Sequence, residues 1–339
     1  MKKVALLLIA MFVMIGSYSI VIPGREEPAP KLATLPTASA ASITTVSAAQ
    51  VDNIYVDGQK IVLDQSSVMV NGSTLVPLRS LFTQMGIQVS WNQESEEIKL
   101  SNDAAVKKMV PGESSAVVNG STVKLTAKSM ISNNTTYIPL RFIAESFGYL
   151  VGYDKLSRSI SISTAPYRVG TVTYIVDGDT FDVQFADKTT ERIRLIGVNT
   201  PESTEAAGIE AGGKEASAFT KEKDLKQKVY VTKDTSDDVY GRTLAYVHLT
   251  SGEFINATLV SEGYAKTMVV APNTKWKSYF ADLQKGAQGH ERQLWDPNRY
   301  GQLDNAEANV LLDSLVAAGI HVDAVDLAHP ISMSEQRHY

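Results

Sequence analysis

Between residues 54 and 163 the chain repeats itself with a shift of 62 residues, from Pro77 to Pro139, and this repeat limits the fold more than any other feature. The segment "NGSTLVPLRSLFTQMGIQVSWNQESEEIKLS" returns as "NNTTYIPLRFIAESFGYLVGYDKLSRSISIS". Arg79 aligns with Arg141, Gly86 with Gly148, Trp91 with Tyr153 and Ile98 with Ile160. Upstream, "VDGQKIVL" aligns with "VNGSTVKL" at the same shift. Self-similarity at a fixed period implies duplicated structural units, here 54–101 and 116–163.

Each unit reads as strand, turn, strand, turn, strand, helix, strand, strand. Asp57-Gly58 and Asn119-Gly120 are hairpin turns, because Asp and Asn tolerate positive φ and Gly favours it. "PLRSLFTQMG" and "PLRFIAESFG" start with Pro and end with Gly, which suits the first position and the C-terminal cap of a helix. These units resemble the copper amine oxidase N-terminal-like domain, over residues 51–165. The resemblance does not carry copper with it, because the segment has no His and no Cys. The domain is expected to act as a stalk or attachment module, with cell-envelope components as its candidate partners. No obligate protein partner is evident.

Ahead of the repeat, Lys2 and Lys3 precede an apolar run that ends near Pro23. Positive charge followed by an apolar segment is an export signal. Residues 1–24 are therefore expected to be a signal peptide or an N-terminal membrane anchor. The run approaches the ~20 residues a bilayer span needs, and the best small-x-small site, Ala38-Ser39-Ala40, lies well beyond it. Cleavage and retention both leave the remainder outside the cytoplasmic membrane, secreted or tethered. Residues 25–50, rich in Ala, Pro, Ser and Thr, read as a flexible linker. The chain contains no cysteine, which excludes disulfides, thiolate metal sites and a Cys nucleophile.

Residues 166–302 follow another pattern. "RVGTVTYIVDGDTFDVQF", "ERIRLIGVNTPES", "KVYVTKD" and "GRTLAYVHL" alternate as strands do, and three helical stretches lie among and after them. Strands with inserted and appended helices suit a small closed barrel. On the residues alone, Asp179 is a turn residue, Glu202 a solvated loop carboxylate, and Arg194 and Arg242 members of surface salt bridges.

"VDGDTFDV", "RIRLIGVNTPE", "KEASAFT", "DVYGRTLAYV", "NATLVSEGYAK" and "LW" stand in the order and spacing of the thermonuclease (staphylococcal nuclease-like) family, which this region resembles over about 168–302. The resemblance implies a multidomain α+β chain whose C-terminal half is an OB-fold barrel of five strands with three helices. It implies hydrolysis of DNA and RNA with little sequence preference, leaving 3′-phosphates. It assigns Glu202 to activation of water, and Arg194 and Arg242 to the phosphoryl group. These types fit the chemistry: charge collects on the phosphoryl oxygens in the transition state, and the planar guanidinium stays charged while making paired hydrogen bonds.

By the same resemblance one calcium ion is held by Asp179, Asn199 and the Thr200 carbonyl, all hard oxygen donors. Asn199 stands where the family places a second carboxylate, so weaker calcium binding is expected. Tyr240 is the candidate substrate-binding residue. "TMVVAPN" is aliphatic where the family offers stacking rings, and the net charge of −5 gives no basic surface. These departures leave a second reading open, a catalytically weak or inactive module that binds nucleic acid or cell envelope. Residues 303–339 read as a C-terminal extension with one possible helix. His321, His329 and His338 are too scattered for a metal site.

Overall fold

In the computed structural model, both repeats open with a hairpin whose turn has positive φ at both central residues. The values are +46° and +79° at Asp57-Gly58, and +49° and +87° at Asn119-Gly120. The structure describes residues 46–47, 51, 53–103, 105–204, 208–235, 238 and 240–299. The expected export segment 1–24, most of the linker and the extension 303–339 lie outside them.

The first repeat comprises β1 (Val46–Ser47), β2 (Asn53–Val56), β3 (Gln59–Ile61), β4 (Val68–Val70), β5 (Ser73–Pro77), α1 (Leu78–Phe82), β6 (Gln88–Asn92) and β7 (Glu97–Asn102). A connecting strand, β8 (Ala105–Met109), leads to the second. That repeat has β9 (Ser115–Val118), β10 (Ser121–Lys124), β11 (Met130–Ser132), β12 (Thr135–Pro139), α2 (Leu140–Ser146), β13 (Leu150–Asp154) and β14 (Ser159–Ser163). The two copies meet where β5 pairs antiparallel with β12, Val76 opposite Ile138. Their helices bury Leu78, Leu81 and Phe82, and Leu140, Ile143 and Ala144, in one shared core. Val46–Ser47, within the segment read as a linker, instead pairs with β4. The edge of that sheet otherwise presents unpaired backbone groups, which an extended segment satisfies.

The second half holds β15 (Arg168–Ile175), β16 (Thr180–Phe185), β17 (Thr190–Leu195), β18 (Val198–Asn199), α3 (Gly213–Asp224), β19 (Lys228–Lys233), β20 (Thr243–Leu249), α4 (Ile255–Ser261), β21 (Lys266–Thr267) and α5 (Lys277–Gly289). Five strands close a barrel in the order β15-β16-β17-β20-β19. Alternate residues fill its interior, among them Val172, Phe181, Val183, Ile193, Val229, Ala245 and Val247, all fully buried. Asn256 of α4 is also buried; it accepts from the Val247 amide and donates to Ile196 O, tying the helix to the barrel.

The described halves share a continuous interface within one compact unit. The outer face of β13 and β14 carries Gly152, Asp154, Ser159, Ser161 and Ser163, and it packs on α4, α5 and the segment between β20 and α4 rather than facing water. Ser159 Oγ lies 3.0 Å from the Tyr279 hydroxyl, Ser261 Oγ donates to Asp154 at 2.6 Å, and the Tyr55 hydroxyl donates to Asp282 at 2.8 Å. In the first repeat the aligned positions are Ser90, Asn92, Glu97, Lys99 and Ser101. Ser90, Asn92 and Lys99 are exposed. The junction lies toward the Leu249 end of β20, away from its Thr243 end.

Candidate active site

The turn between β15 and β16 is built from Asp177, Gly178 and Asp179. Asp177 Oδ1 accepts the Asp179 amide at 3.1 Å, the local bond that makes Asp a turn former. Gly178 is required for close approach: a Cβ there would lie 2.8 Å from the Thr200 side chain. From α3, the buried Thr220 hydroxyl donates to Gly178 O at 2.7 Å. The turn is thus held from the helix on one side and from the 199–200 loop on the other.

This arrangement buries the Asp179 carboxylate, at 4% exposure, and directs it at three donors. Oδ2 accepts the Thr200 amide at 2.8 Å and lies 3.1 Å from Nη1 of Arg194, while Oδ1 accepts the Thr180 hydroxyl at 3.1 Å. Arg194 arrives there because it pairs across the sheet with Thr180, so both project from the same face. Its Nη1 also donates to Leu195 O and Val198 O, at 2.8 and 2.9 Å, and its Nη2 to Asn199 Oδ1 at 2.8 Å. One guanidinium therefore fixes the loop from 195 to 199. Five N–H groups are available to it, and these contacts leave the Nε–H and one Nη2–H free for a ligand. Burial raises the Asp179 pKa, the Arg194 charge opposes that, Asp177 adds to it, and the balance sits at about 6.

Arg242 directly precedes β20, which runs parallel to β17 with Leu244 opposite Arg194. Its Nε pairs with Asp238, and Asp238 also accepts the Tyr240 amide. Burial works to raise the Asp238 carboxyl, but the Tyr240 and Arg242 hydrogen bonds and the charges of Arg242 and Arg194 together hold it below its ordinary range. Thr243 lies opposite Ile193, so Arg242, one residue earlier, stands at the same end of the barrel as Arg194. Tyr240 is 82% exposed, and the Arg242 guanidinium lies 5.5 Å from its ring centre.

Glu202 stands apart from this cluster. Its main chain is fixed: its amide donates to the Glu210 carboxylate at 3.1 Å, its carbonyl accepts the Glu210 amide, and Gly213 packs against that carbonyl too closely for any side chain. Its own carboxylate makes no hydrogen bond or ion pair among the described residues, so it contacts neither arginine. The structure thus joins Asp179, Arg194, Asn199 and Thr200 by direct contacts, joins Arg242 and Tyr240 through Asp238, and leaves Glu202 half-buried in the adjoining loop.

No group of three or more His, Asp or Glu side chains forms a metal cluster among the described residues. The donor chemistry nevertheless fits one hard cation. Asp179 is a buried carboxylate whose pKa is raised chiefly by burial, and the Asn199 amide oxygen and Thr200 main-chain oxygen are neutral hard donors in the loop whose Thr200 amide it accepts. Asn199 Oδ1 already accepts from Arg194, which weakens its call on a cation. Sequence reasoning missed Asp238, Thr220 and the electrostatic part of Asp177. A signal existed for Asp238, an acid at the head of the turn "DVYG" whose carboxylate accepts the amide two residues on; the burial of Thr220 had none.

A family model described as the copper amine oxidase N-terminal domain matches residues 55–162, and one described as staphylococcal nuclease homologue matches residues 192–297. The chain is 38% identical over 140 residues to the thermonuclease of Staphylococcus hyicus, covering 41% of this chain and 82% of that protein. It is 40% identical over 124 residues to the thermonuclease of Staphylococcus intermedius, covering 36% and 73%. It is also 33% identical over 129 residues to the endonuclease YncB of Bacillus subtilis (strain 168), covering 37% and 60%.

Proposed function

The chain belongs to the staphylococcal nuclease homologue family and is a nuclease, and on that premise we propose that it is an exported, calcium-using phosphodiesterase that cleaves DNA and RNA with little sequence preference and leaves 3′-phosphate ends. The observation that carries this reading is Arg194, a buried and fully oriented guanidinium with two N–H groups to spare, at the same barrel end as Arg242.

Arg194 needs no reorganisation to meet a phosphoryl oxygen, because main-chain carbonyls and Asp179 already hold its plane. Preorganised charge of this kind is worth most where charge develops in the transition state. Arg242 keeps its terminal N–H groups while Asp238 anchors its Nε, so it serves the leaving oxygen. Glu202 activates the attacking water, its carboxylate free of competing partners among the described residues. Asp179, Asn199 and the Thr200 carbonyl would hold a calcium ion, which supplies further positive charge beside the phosphate. Tyr240, exposed and next to Arg242, contacts the bound nucleotide. Export rests on Lys2, Lys3 and the apolar run that follows them.

Incubating the purified full chain with DNA or RNA in millimolar calcium, with and without chelator, tests the reading. Cleavage that depends on calcium and collapses in Glu202→Gln and Arg242→Ala supports it; full activity in either variant defeats it. Two observations favour a second reading, a binding module without turnover: Glu202 makes no contact with either arginine, and Asn199 takes a carboxylate's place. Nucleic-acid binding with no cleavage at any calcium concentration would establish that alternative.

A further inference from the structure

Strict alternation along β15 would turn Tyr174 into the barrel, since Val172 points inward and is fully buried. A bulge between Val172 and Tyr174 reverses this: Val172 pairs with Val183, but Tyr174 pairs with Asp182 and Ile175 with Phe181. Bulges re-aim side chains and cluster beside active sites. Here the result is a tyrosine 60% exposed on the barrel's outer face, with no ring partner among the described residues. Asp182 pairs in turn with Arg192, and Thr180 with Arg194. Tyr174, Asp182 and Arg192 therefore share one outward face with Arg194, which the loop covers.

Arg192 lies two residues from Arg194 along β17, about 6.6 Å at the rise of a strand. That is close to the separation of successive phosphates in an extended single strand. Asp182 grips the Arg192 fork through Nε at 2.8 Å and Nη2 at 3.2 Å, which sets its plane and leaves Nη1 unengaged. The guanidinium stays half exposed.

We propose that Tyr174 and Arg192 form a second nucleotide subsite, in which Arg192 holds the phosphate next to the one at Arg194 and Tyr174 stacks on the attached base. The subsite takes single-stranded nucleic acid, because a ring stacks only on an unpaired base. It rests on the nuclease reading for the position of the first phosphate at Arg194. It also offers a stacking ring to a chain whose 267–273 segment is aliphatic.

The test is fluorescence anisotropy of the full chain with labelled oligothymidylates of two to eight nucleotides, in chelator so that nothing is cleaved. Affinity rises with length in the unaltered protein. Arg192→Ala and Tyr174→Ala each remove about fivefold or more of that gain, Tyr174→Phe keeps it, and Arg192→Ala lowers the slope of log affinity against log salt by about 0.7. Asp182→Asn binds as well or better, since it removes a negative charge beside the phosphate; a loss equal to that of Arg192→Ala would mark Arg192 as structural and overturn the subsite. Unchanged binding in Arg192→Ala and Tyr174→Ala, or no binding of any oligonucleotide, would also overturn it. Length-dependent binding lost in these variants, without cleavage when calcium is restored, would sink the nuclease reading and leave the subsite standing.

Discussion

Nη1 of Arg194 lies 3.1 Å from Oδ2 of Asp179, and both side chains are almost entirely buried. Neither charge could stay there alone. Removing one member of such a pair typically costs about 3–5 kcal/mol, because the other is left uncompensated. Arg194 also anchors the loop from 195 to 199 through Leu195 O and Val198 O.

Arg194→Ala should therefore lower both stability and activity. The expected loss is about 3–5 kcal/mol in urea denaturation without calcium. The double variant Asp179→Leu with Arg194→Met should recover much of that stability and none of the activity. A single variant within 1 kcal/mol of the parent would contradict the structural role given to this pair.

In the proposed calcium site Asn199 would offer a neutral amide oxygen, and that oxygen already accepts from Arg194. Asn199→Asp adds a charge at the same position and should tighten calcium binding by about tenfold, as ligand charge count tunes such sites. Calcium titration followed by thermal denaturation reads this directly. An unchanged calcium midpoint would argue against coordination at residue 199.

The duplication was legible because turn chemistry and helix punctuation survive in both copies, as Asp57-Gly58 and Asn119-Gly120 illustrate. The barrel strands were legible because their alternation matches a small filled interior. Two features escaped for physical reasons. Ser159, Ser161 and Ser163 alternate with Ile160 and Ile162, which reads as a polar face toward water, yet serine is also small enough to admit another domain's aromatic rings. The bulge at Thr173 breaks the strand parity, by which alternation alone would turn Tyr174 inward. In the candidate site, residues carried by short motifs could be named, whereas Thr220 and Asp238 act through contacts that only the folded chain creates.

Restoring the first repeat's residues to the second should break the junction. Ser161→Lys places the long side chain found at Lys99 at a buried position where a serine now packs against the other half. Gly152→Ser copies Ser90, but a Cβ there would sit 2.4 Å from Ser161 Oγ and 3.2 Å from the Phe254 Cβ. Overpacking of this kind costs about 1–3 kcal/mol, and burying a lysine charge adds its desolvation. Both variants should lower the urea midpoint and expose the Trp276 and Tyr279 cluster to solvent, seen as a shift in tryptophan fluorescence. Midpoints equal to the parent's would mean that the two halves are independent.

Asp224, at the end of α3, gives a pH signature that does not involve the candidate site. Its carboxyl is buried, and burial first, then the nearby Glu253 charge, push its pKa up to about 8 against the opposing pull of Lys223. The ordinary value is 3.8. Below that value folded and unfolded chains both carry the proton, and the full contribution to stability is present. Between about 4 and 8 the unfolded chain releases the proton while the folded chain keeps it, so this contribution falls as pH rises, by no more than about 1.4 kcal/mol per pH unit. Above 8 both states are ionised and the decline ends. Asp224→Asn cannot ionise, so its stability relative to the parent should grow steadily from pH 5 to pH 8 in urea denaturation. A parent and variant that differ by a constant amount across that range would mean that Asp224 is ionised in the folded protein.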